Sequence, residues 1–298
     1  MPPTNLDFRS IAFSPADDYV YYTQIREDFS LNTLYQIPTL GGTPKKLIED
    51  VDSGVSFSPD GKRFAFIRHA SKNSEDTIFI GSTENSNLET LISSRAAGYD
   101  FFSMYLAWSP DGAKILTGAG KKQSGFVSET KIAEVSVADK TLKILPSKDF
   151  YTAENFCWFK DGSGFLFTAQ ESRAAPSQIW RAAYPSGSTF HITNDFNNYT
   201  EIGLSADGTT VVTVQGESVS SLWRYSPSTK VKRRINGGQP HLFRLPLDGA
   251  PQQPLTDFKS GKILNFAWSN DGKSVFVVRG ITNNDLILIR EAAINNGK

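Results

Sequence analysis

The histidines are the first residues to consider for acid–base or nucleophilic chemistry, and the chain has three of them, His69, His191 and His241. A Ser-His-Asp triad needs one histidine held between a nucleophile and a carboxylate, and in α/β-hydrolases the serine lies in a G-x-S-x-G turn. The sequence has no such turn, and its histidines fall in unrelated segments. It also has no His/Cys cluster with metal-ligand spacing. We therefore predict that the chain is not an enzyme and that it has no catalytic residue, cofactor or metal site.

Aspartate recurs in a fixed setting, represented by Ser58-Pro59-Asp60-Gly61. An Asp-Gly pair lacks the alternating acids of a calcium loop. It suits a tight turn, in which proline presets φ near −65° and glycine takes the positive φ that follows. We interpret the repeated aspartates as turn formers and not as ligands.

Tyrosine and arginine concentrate in the long, irregular segments between these turns. Loops often carry function, and large amphipathic side chains act as anchors at protein interfaces. We predict five residues as contacts for a partner: Arg68, Tyr99, Tyr105, Tyr151 and Tyr199.

The stretch Val55–Arg68 predicts two short strands joined by the Asp-Gly turn, and a similar stretch occurs six times. The copies align on Phe13, Phe57, Trp108, Trp158, Leu204 and Trp268, with spacings of 44, 51, 50, 46 and 64 residues. A period of roughly 40–50 residues that is rich in short strands is typical of propeller blades.

These repeats predict an all-β fold, a six-bladed β-propeller of four-stranded antiparallel blades, with seven blades, one of them incomplete, as the alternative. Each hairpin would supply the inner strands a and b, and a second strand-turn-strand unit the outer strands c and d. A single domain is expected over residues 1–298, with repeats near 8–51, 52–101, 102–150, 151–196, 197–238 and 259–290, and an extra outer hairpin at 239–258. Met1–Arg9 is expected to close the ring as a missing outer strand.

An acidic residue followed by an apolar residue recurs at the end of the outer strands. The pairs are Asp50-Val51, Asp100-Phe101, Asp149-Phe150, Asp195-Phe196 and Asp257-Phe258. An apolar residue repeated in register predicts packing between neighbouring blades. In a propeller the a–b and c–d turns lie on one face and the b–c and d–a loops on the other, so the five predicted contacts should share the b–c/d–a face.

Composition limits the classes of partner. Lys+Arg and Asp+Glu both number 31, which argues against a nucleic-acid binder with its usual basic excess. The single cysteine, Cys157, can form no internal disulfide. No window approaches about 18 apolar residues and Met1–Arg9 has no apolar core, so neither a membrane-inserted segment nor a signal peptide is expected. We expect a monomer. The compartment is left open, cytoplasmic for the chain alone and extracytoplasmic if it is tethered.

The stretches FSPDGKRFAF, AWSPDGAKIL and AWSNDGKSVF, with YQIPTLGGTPKKL between hairpins, resemble the repeats of TolB-like β-propellers over about residues 8–290. LYQIPTLGGTPKKLIEDV also resembles the propellers found C-terminal to bacterial serine/threonine kinases or winged-helix regulators. That resemblance implies a sensory or docking domain. The sequence itself has neither a kinase nor a DNA-binding region.

The resulting prediction is a non-enzymatic β-propeller that binds a protein or peptide and serves as a sensory or scaffolding module. Two alternatives remain open: a propeller enzyme, either a hydrolase or a lyase, and a small-ligand receptor that uses the channel mouth. Converging carboxylates, histidines or metal ligands around the channel would favour an enzyme, whereas aromatic and arginine side chains would favour docking.

Overall fold

The structure is a computed structural model that describes the chain except for residues 1–6, 26–30, 71–74, 86, 124–125, 206, 217–240, 247–249, 257–261, 270–273, 282 and 291–298. The described part forms six antiparallel sheets. It contains one short helix, α1 (Ser94–Ala97), and no described helix has the length and apolar character needed to cross a membrane.

The first three sheets follow one another along the chain. The first contains β1 (Asp7–Phe13), β2 (Tyr19–Ile25), β3 (Thr33–Pro38) and β4 (Lys45–Glu49); the second contains β5 (Ser56–Phe57), β6 (Arg63–Ala70), β7 (Glu75–Ser82) and β8 (Leu88–Ser93); the third contains β9 (Asp100–Phe101), β10 (Ala107–Trp108), β11 (Lys114–Gln123), β12 (Phe126–Ser136) and β13 (Leu142–Ile144). In the third sheet both β9 and β10 pair with β11, so its inner strand is split in two.

The last three sheets repeat the pattern. The fourth contains β14 (Thr152–Trp158), β15 (Gly164–Gln170), β16 (Gln178–Ala183) and β17 (Thr189–His191); the fifth contains β18 (Asn198–Leu204), β19 (Thr210–Gly216), β20 (His241–Pro246) and β21 (Gln253–Pro254); the sixth contains β22 (Lys262–Trp268), β23 (Ser274–Ile281) and β24 (Asn283–Arg290). We refer to the sheets as blades 1 to 6.

The architecture is an all-β propeller of four-stranded antiparallel blades, but the described residues form five such blades and not the predicted six or seven. Blade 6 has only three described strands. The hairpin at 239–258 is not an extra unit. Its strand β20 pairs with β19 from Gln215↔His241 to Thr210↔Pro246, so it forms the outer half of blade 5. The spacing of 64 residues therefore arises within this blade, where residues 217–240 separate strands b and c in sequence.

The predicted closing strand at Met1–Arg9 is also corrected. Residues 1–6 lie outside the described part, and Asp7–Phe13 is the innermost strand of blade 1, not an outer strand of blade 6. Blades 1 and 6 meet through packing, because Ala267 of β22 contacts the blade 1 cluster that includes Phe8, Ile11 and Phe13.

Each pair of neighbouring blades is joined by buried apolar residues. Tyr21 and Phe64 pack between blades 1 and 2, and Leu166 and Val211 between blades 4 and 5. The second strand is covered on both faces, which explains why Phe165–Ala169 are all buried instead of alternating. Burial between blades is the main source of stability in this arrangement.

The predicted turns are confirmed in blades 2 to 5, whereas the copy at Asp271-Gly272 lies outside the described residues. Gly61, Gly112, Gly162 and Gly208 have φ between 70° and 74°, and the Gly61 N–H donates to the Ser58 carbonyl at 2.8 Å. In the first copy Asp17 takes the equivalent conformation with φ 58°, a region that aspartate tolerates better than most residues.

Candidate functional site

The inner strands carry β-bulges that shape the wall of the central channel. The pairing of strands a and b shifts between Phe8 and Ser10 in blade 1, between Glu154 and Cys157 in blade 4 and between Tyr199 and Ile202 in blade 5. A bulge adds one residue on one strand and changes the direction of its side chains. Arg9, Glu154 and Glu201, described below, lie at these bulges.

Tyr105 reaches across the channel. It precedes strand β10 of blade 3, yet its Oη lies 3.2 Å from Glu201 Oε1 in blade 5 and 3.4 Å from the Arg9 carbonyl oxygen in blade 1. Gly54 makes room for the ring, since a Cβ at that position would lie 2.5 Å from Tyr105 Cδ1. One side chain therefore connects three blades at the channel, and a glycine in blade 2 permits it.

Two glutamates share this channel, and both have raised pKa values. Protein atoms surround Glu201, although part of its surface stays open to the channel, and this burial raises its pKa to about 8. The bond from Tyr105 lowers that pKa, and the charge of Glu154 raises it. Burial also raises the pKa of Glu154, whose carboxylate has no hydrogen bond or ion pair to any residue that the structure describes.

Arg9 lies at the bulge of β1, and its carbonyl oxygen is the one that the Tyr105 hydroxyl approaches. Its Nη1 donates to the Asp52 carbonyl oxygen at 3.1 Å and lies 3.7 Å from Met104 Sδ. These contacts hold the guanidinium against blades 2 and 3. The channel thus combines a tyrosine and two carboxyl groups, a set able to bind a charged group or to move a proton.

Arg68 does not lie free on a loop as predicted. It is in β6, and its Nε lies 3.0 Å from Asp50 Oδ2 and 2.9 Å from the Asp50 carbonyl oxygen. Its guanidinium also lies 4.7 Å from the centre of the Phe79 ring. These contacts tie blade 2 to the outer edge of blade 1, and they favour a role for Arg68 between blades over the predicted partner contact.

Tyr199 is buried, with only 1% of its surface exposed, and not on the surface as the predicted partner contact requires. Its N–H donates to the Ser177 carbonyl, as that of Val51 does to Asn32 and that of Phe150 to Thr130. Tyr199 thus occupies the packing position that Val51 and Phe150 occupy elsewhere. Its hydroxyl donates to Asp195 Oδ2 at 2.8 Å, and burial raises its pKa.

Phe196 is exposed because Tyr199 has taken that position. Val51, Phe101 and Phe150 are buried as the recurrent pairs predict, but Phe196 is 95% exposed, so the prediction is wrong there. Phe258 lies outside the described residues. The loop from blade 4 to blade 5 therefore presents an unused aromatic ring to solvent.

Tyr99 and Tyr151 are half-buried residues in segments between blades, and their role as partner contacts stays a prediction. The Lys121 ammonium lies 5.5 Å from the centre of the Tyr99 ring. The Tyr151 N–H donates to the Gln170 carbonyl at 2.8 Å. Of the five predicted contacts, only Tyr105 enters the channel.

The histidines do not converge. His69 Nδ1 lies 2.7 Å from Asp76 Oδ1, whereas His191 packs against Trp180 with ring centres 3.5 Å apart. The side chain of His241 is outside the description. Across the described ranges, no group of three or more His, Cys, Asp or Glu residues is placed to hold a metal ion.

Glu154, Glu201 and Phe196 were not predicted from the sequence as functional residues. A usable signal was present for the glutamates, since each is a charged residue inside an inner strand shortly before the hairpin turn. Nothing comparable marks Phe196, because its Asp-Phe pair resembles the buried ones.

Comparison with solved structures identifies similar folds. TolB from Acinetobacter baumannii matches with a TM-score of 0.62 and 19% identity, covering 94% of this chain and 63% of that one. A putative TolB from Agrobacterium tumefaciens has a TM-score of 0.64 and 18% identity, covering 98% of this chain and 92% of that one. An oligogalacturonate lyase from Vibrio parahaemolyticus has a TM-score of 0.58 and 10% identity, covering 95% and 92%.

The chain therefore spans less than two thirds of the length of the Acinetobacter TolB. No family model matches the sequence, and the search of curated proteins found no match. At these identities the likeness concerns the fold, and the chain has a TolB-like β-propeller fold.

Proposed function

We propose that this propeller is a non-enzymatic binding module that docks a protein or peptide on its b–c/d–a face, in a sensory or scaffolding role. The observation that carries the proposal is the 95% exposure of Phe196 at a position whose counterparts are buried. A large exposed ring costs solvation free energy in the free protein, and covering it with a partner recovers that free energy. Tyr99 and Tyr151, in other segments between blades, are further proposed contacts.

The channel supplies a second contact for the same partner. Glu201 lies five residues after Phe196 in one continuous segment, and Glu154 is in the neighbouring inner strand. A lysine or arginine side chain entering the channel would meet two carboxyl groups, one with no partner among the described residues. Because the pKa of Glu201 is about 8, binding of a cation near neutral pH would release a proton from part of the population.

A matched pair of variants tests this docking surface. Phe196→Ser removes the exposed ring of the interblade loop, and Phe190→Ser removes a ring that is 58% exposed on the outer strand of blade 4. A library of peptides that contain one basic and one apolar residue provides the probe, and binding is measured by fluorescence anisotropy. We expect Phe196→Ser to weaken binding of the selected peptides by about tenfold or more and Phe190→Ser to leave it unchanged.

Glu201→Gln is the complementary variant. It should reduce binding of peptides that carry lysine or arginine and not of matched peptides with norleucine at the basic position. If Phe190→Ser abolishes binding while Phe196→Ser and Glu201→Gln retain it, the outer strands and not the b–c/d–a face form the docking surface.

A propeller enzyme is the second candidate, and one observation favours it. Glu201 has a pKa of about 8 and contacts the Tyr105 hydroxyl, so it could act as an acid or base near neutral pH. One solved structure with a similar fold is named an oligogalacturonate lyase. Incubation with oligogalacturonate, followed by the ultraviolet absorbance of an unsaturated product, tests this chemistry. Turnover by the wild type that is lost in Glu201→Gln would replace the binding proposal with the enzymatic one.

A further inference from the structure

A cleft of about 700 Å³ opens between blades 4 and 5 on the face opposite the b–c/d–a loops. Its walls include the a–b turns of both blades, with Lys160 and Asp161 from one and Asp207 from the other. Two arginines from strands c, Arg181 and Arg244, also line it. This cleft lies outside the channel and is independent of the function proposed above.

The two acids in the cleft are bound within their own turns. Asp161 Oδ1 accepts from the Ser163 N–H at 2.9 Å and from Ser163 Oγ at 2.7 Å. Asp207 Oδ1 accepts from Ser205 Oγ at 2.5 Å, and also from the N–H and hydroxyl of Thr209 at 3.0 and 2.9 Å. These bonds lower the pKa of Asp161 and lower that of Asp207 to about 2. One carboxylate oxygen of each acid is therefore engaged before any ligand arrives.

The two arginines have fewer hydrogen-bond partners than the two acids. The Arg181 guanidinium lies 4.9 Å from the centre of the Phe159 ring, which holds it against one wall, and its charge helps to lower the pKa of Asp161. Arg244 Nε is buried without a hydrogen-bond partner, and no described residue forms an ion pair with Arg244. A buried guanidinium N–H without an acceptor is costly, so an acceptor from outside would recover free energy.

In the neighbouring cleft, between blades 3 and 4, the residue at the position equivalent to Arg181 has hydrogen-bond and charge partners within the protein. Glu134 pairs with Leu116 in the register in which Arg181 pairs with Leu166. Its carboxylate lies 3.8 Å from Lys114 Nζ and accepts from the Tyr184 hydroxyl at 2.8 Å. Blade 3 therefore has an acid at this position with internal partners, whereas blade 4 has a cation there.

We propose that the cleft between blades 4 and 5 binds the carboxylate of an acidic peptide side chain, with Arg181 and Arg244 as the recognising residues. Guanidinium groups pair with carboxylates through two parallel hydrogen bonds, which matches a cleft with two arginines. A singly charged carboxylate is favoured over a phosphate dianion because Asp161 and Asp207 line the same cleft. Phe159 and Pro246 supply apolar surface for the rest of the peptide.

Calorimetric titration of the full chain at low ionic strength tests the proposal. The probes are a capped Gly-Glu-Glu-Gly peptide, the matched Gly-Gln-Gln-Gly peptide, succinate and inorganic phosphate. We expect the acidic peptide to bind and the amide peptide not to bind. Arg181→Gln and Arg244→Gln should each weaken binding of the acidic peptide by about tenfold or more. Arg244→Lys should weaken this binding less than Arg244→Gln does.

Arg63→Gln is the matched control, since Arg63 lies against Trp108 at 5.1 Å from the ring centre, outside this cleft. It should leave binding unchanged, and equal melting temperatures would show that all variants are folded. Equal binding of both peptides, or of wild type and Arg244→Gln, would overturn the proposal. Succinate binding without peptide binding would overturn the peptide as ligand, and tighter binding of phosphate would overturn the preference for carboxylate. Channel variants such as Glu201→Gln should not affect this site.

Discussion

The hydroxyl oxygen of Tyr105 lies 3.2 Å from Glu201 Oε1, although the two residues belong to blades 3 and 5. A phenolic hydroxyl has one proton, so it donates either to the ionised carboxylate or to the Arg9 carbonyl oxygen at 3.4 Å. When Glu201 holds a proton, it can donate to the tyrosine, which then donates to Arg9. The direction of this hydrogen-bond chain therefore depends on the charge of Glu201.

Tyr105→Phe should raise the pKa of Glu201 above its value of about 8. The Tyr105 hydroxyl stabilises the ionised carboxylate, and its removal leaves only burial and the Glu154 charge, both of which raise the pKa. Nuclear magnetic resonance titration of ¹³C-labelled glutamate carboxyl groups measures the change. Tyr151→Phe removes a hydroxyl outside the channel and should leave this titration unchanged. A lower Glu201 pKa in Tyr105→Phe would show that the hydroxyl does not donate to this carboxylate.

The stability of the fold should depend on pH through Glu201. Its pKa is about 8 in the folded state and 4.5 without the fold, so the folded state holds more protons between these values. The free energy of unfolding should therefore fall as pH rises from about 5 to 9, by a few kcal/mol relative to Glu201→Gln. The full shift would give about 5 kcal/mol, and the partial exposure of Glu201 reduces it. Urea denaturation of both proteins at several pH values measures this difference. Parallel pH profiles would mean that Glu201 titrates normally.

The repeated hairpin carried most of what could be predicted about the fold. Pro, Asp and Gly act within a few residues, so the turns near Gly61 and Gly112 could be read directly from the sequence. The number of blades could not, because it depends on which strand pairs with β19. The partner of β19 is far from it in sequence, because β20 begins only at His241. Local patterns give little information about such a pairing.

The candidate site was less predictable for a related reason. Tyr199 and Phe196 are both aromatic residues near the same strand, and only the pairing of the Tyr199 N–H with Ser177 decides which one is buried. Glu154 and Glu201 become neighbours only when the inner strands are arranged around one channel. Tyr105 was predicted from its loop position, and the structure assigns it contacts inside the protein and not at the surface.

Gly112→Val should destabilise the protein by about 1 kcal/mol or more, and Gly61→Val should do the same. Both glycines have positive φ, 74° and 70°, which β-branched residues rarely adopt. Gly112→Asn is the matched control, because asparagine tolerates this conformation and should cost less. Thermal or urea unfolding measures all three variants. Equal losses for valine and asparagine at position 112 would show that backbone conformation is not the cause.

Arg68→Gln should destabilise the fold without affecting a partner bound on the b–c/d–a face. The substitution removes the contacts with Asp50. It also removes the guanidinium that lies over the Phe79 ring. We expect a loss of about 1 kcal/mol, since the Arg68 side chain is partly solvated. Arg95→Gln is the control, because Arg95 is 79% exposed and its ion pair with Glu75 is 3.4 Å long. Urea unfolding should show little change for Arg95→Gln, and a larger loss there would contradict the role assigned to Arg68.

Tyr199→Ala should cost more than any other substitution considered above, about 3 kcal/mol or more, because it empties a fully buried site between blades 4 and 5. Tyr199→Phe distinguishes the contribution of the hydroxyl to stability from that of the ring. It keeps the packing with Leu166 and Val211, loses the hydrogen bonds of the hydroxyl with Asp195 and Asn197, and should cost about 1 kcal/mol. Urea unfolding measures both losses. If Tyr199 were instead a surface anchor, both variants would retain wild-type stability and Tyr199→Ala would abolish peptide binding, and that result would restore the prediction made from the sequence.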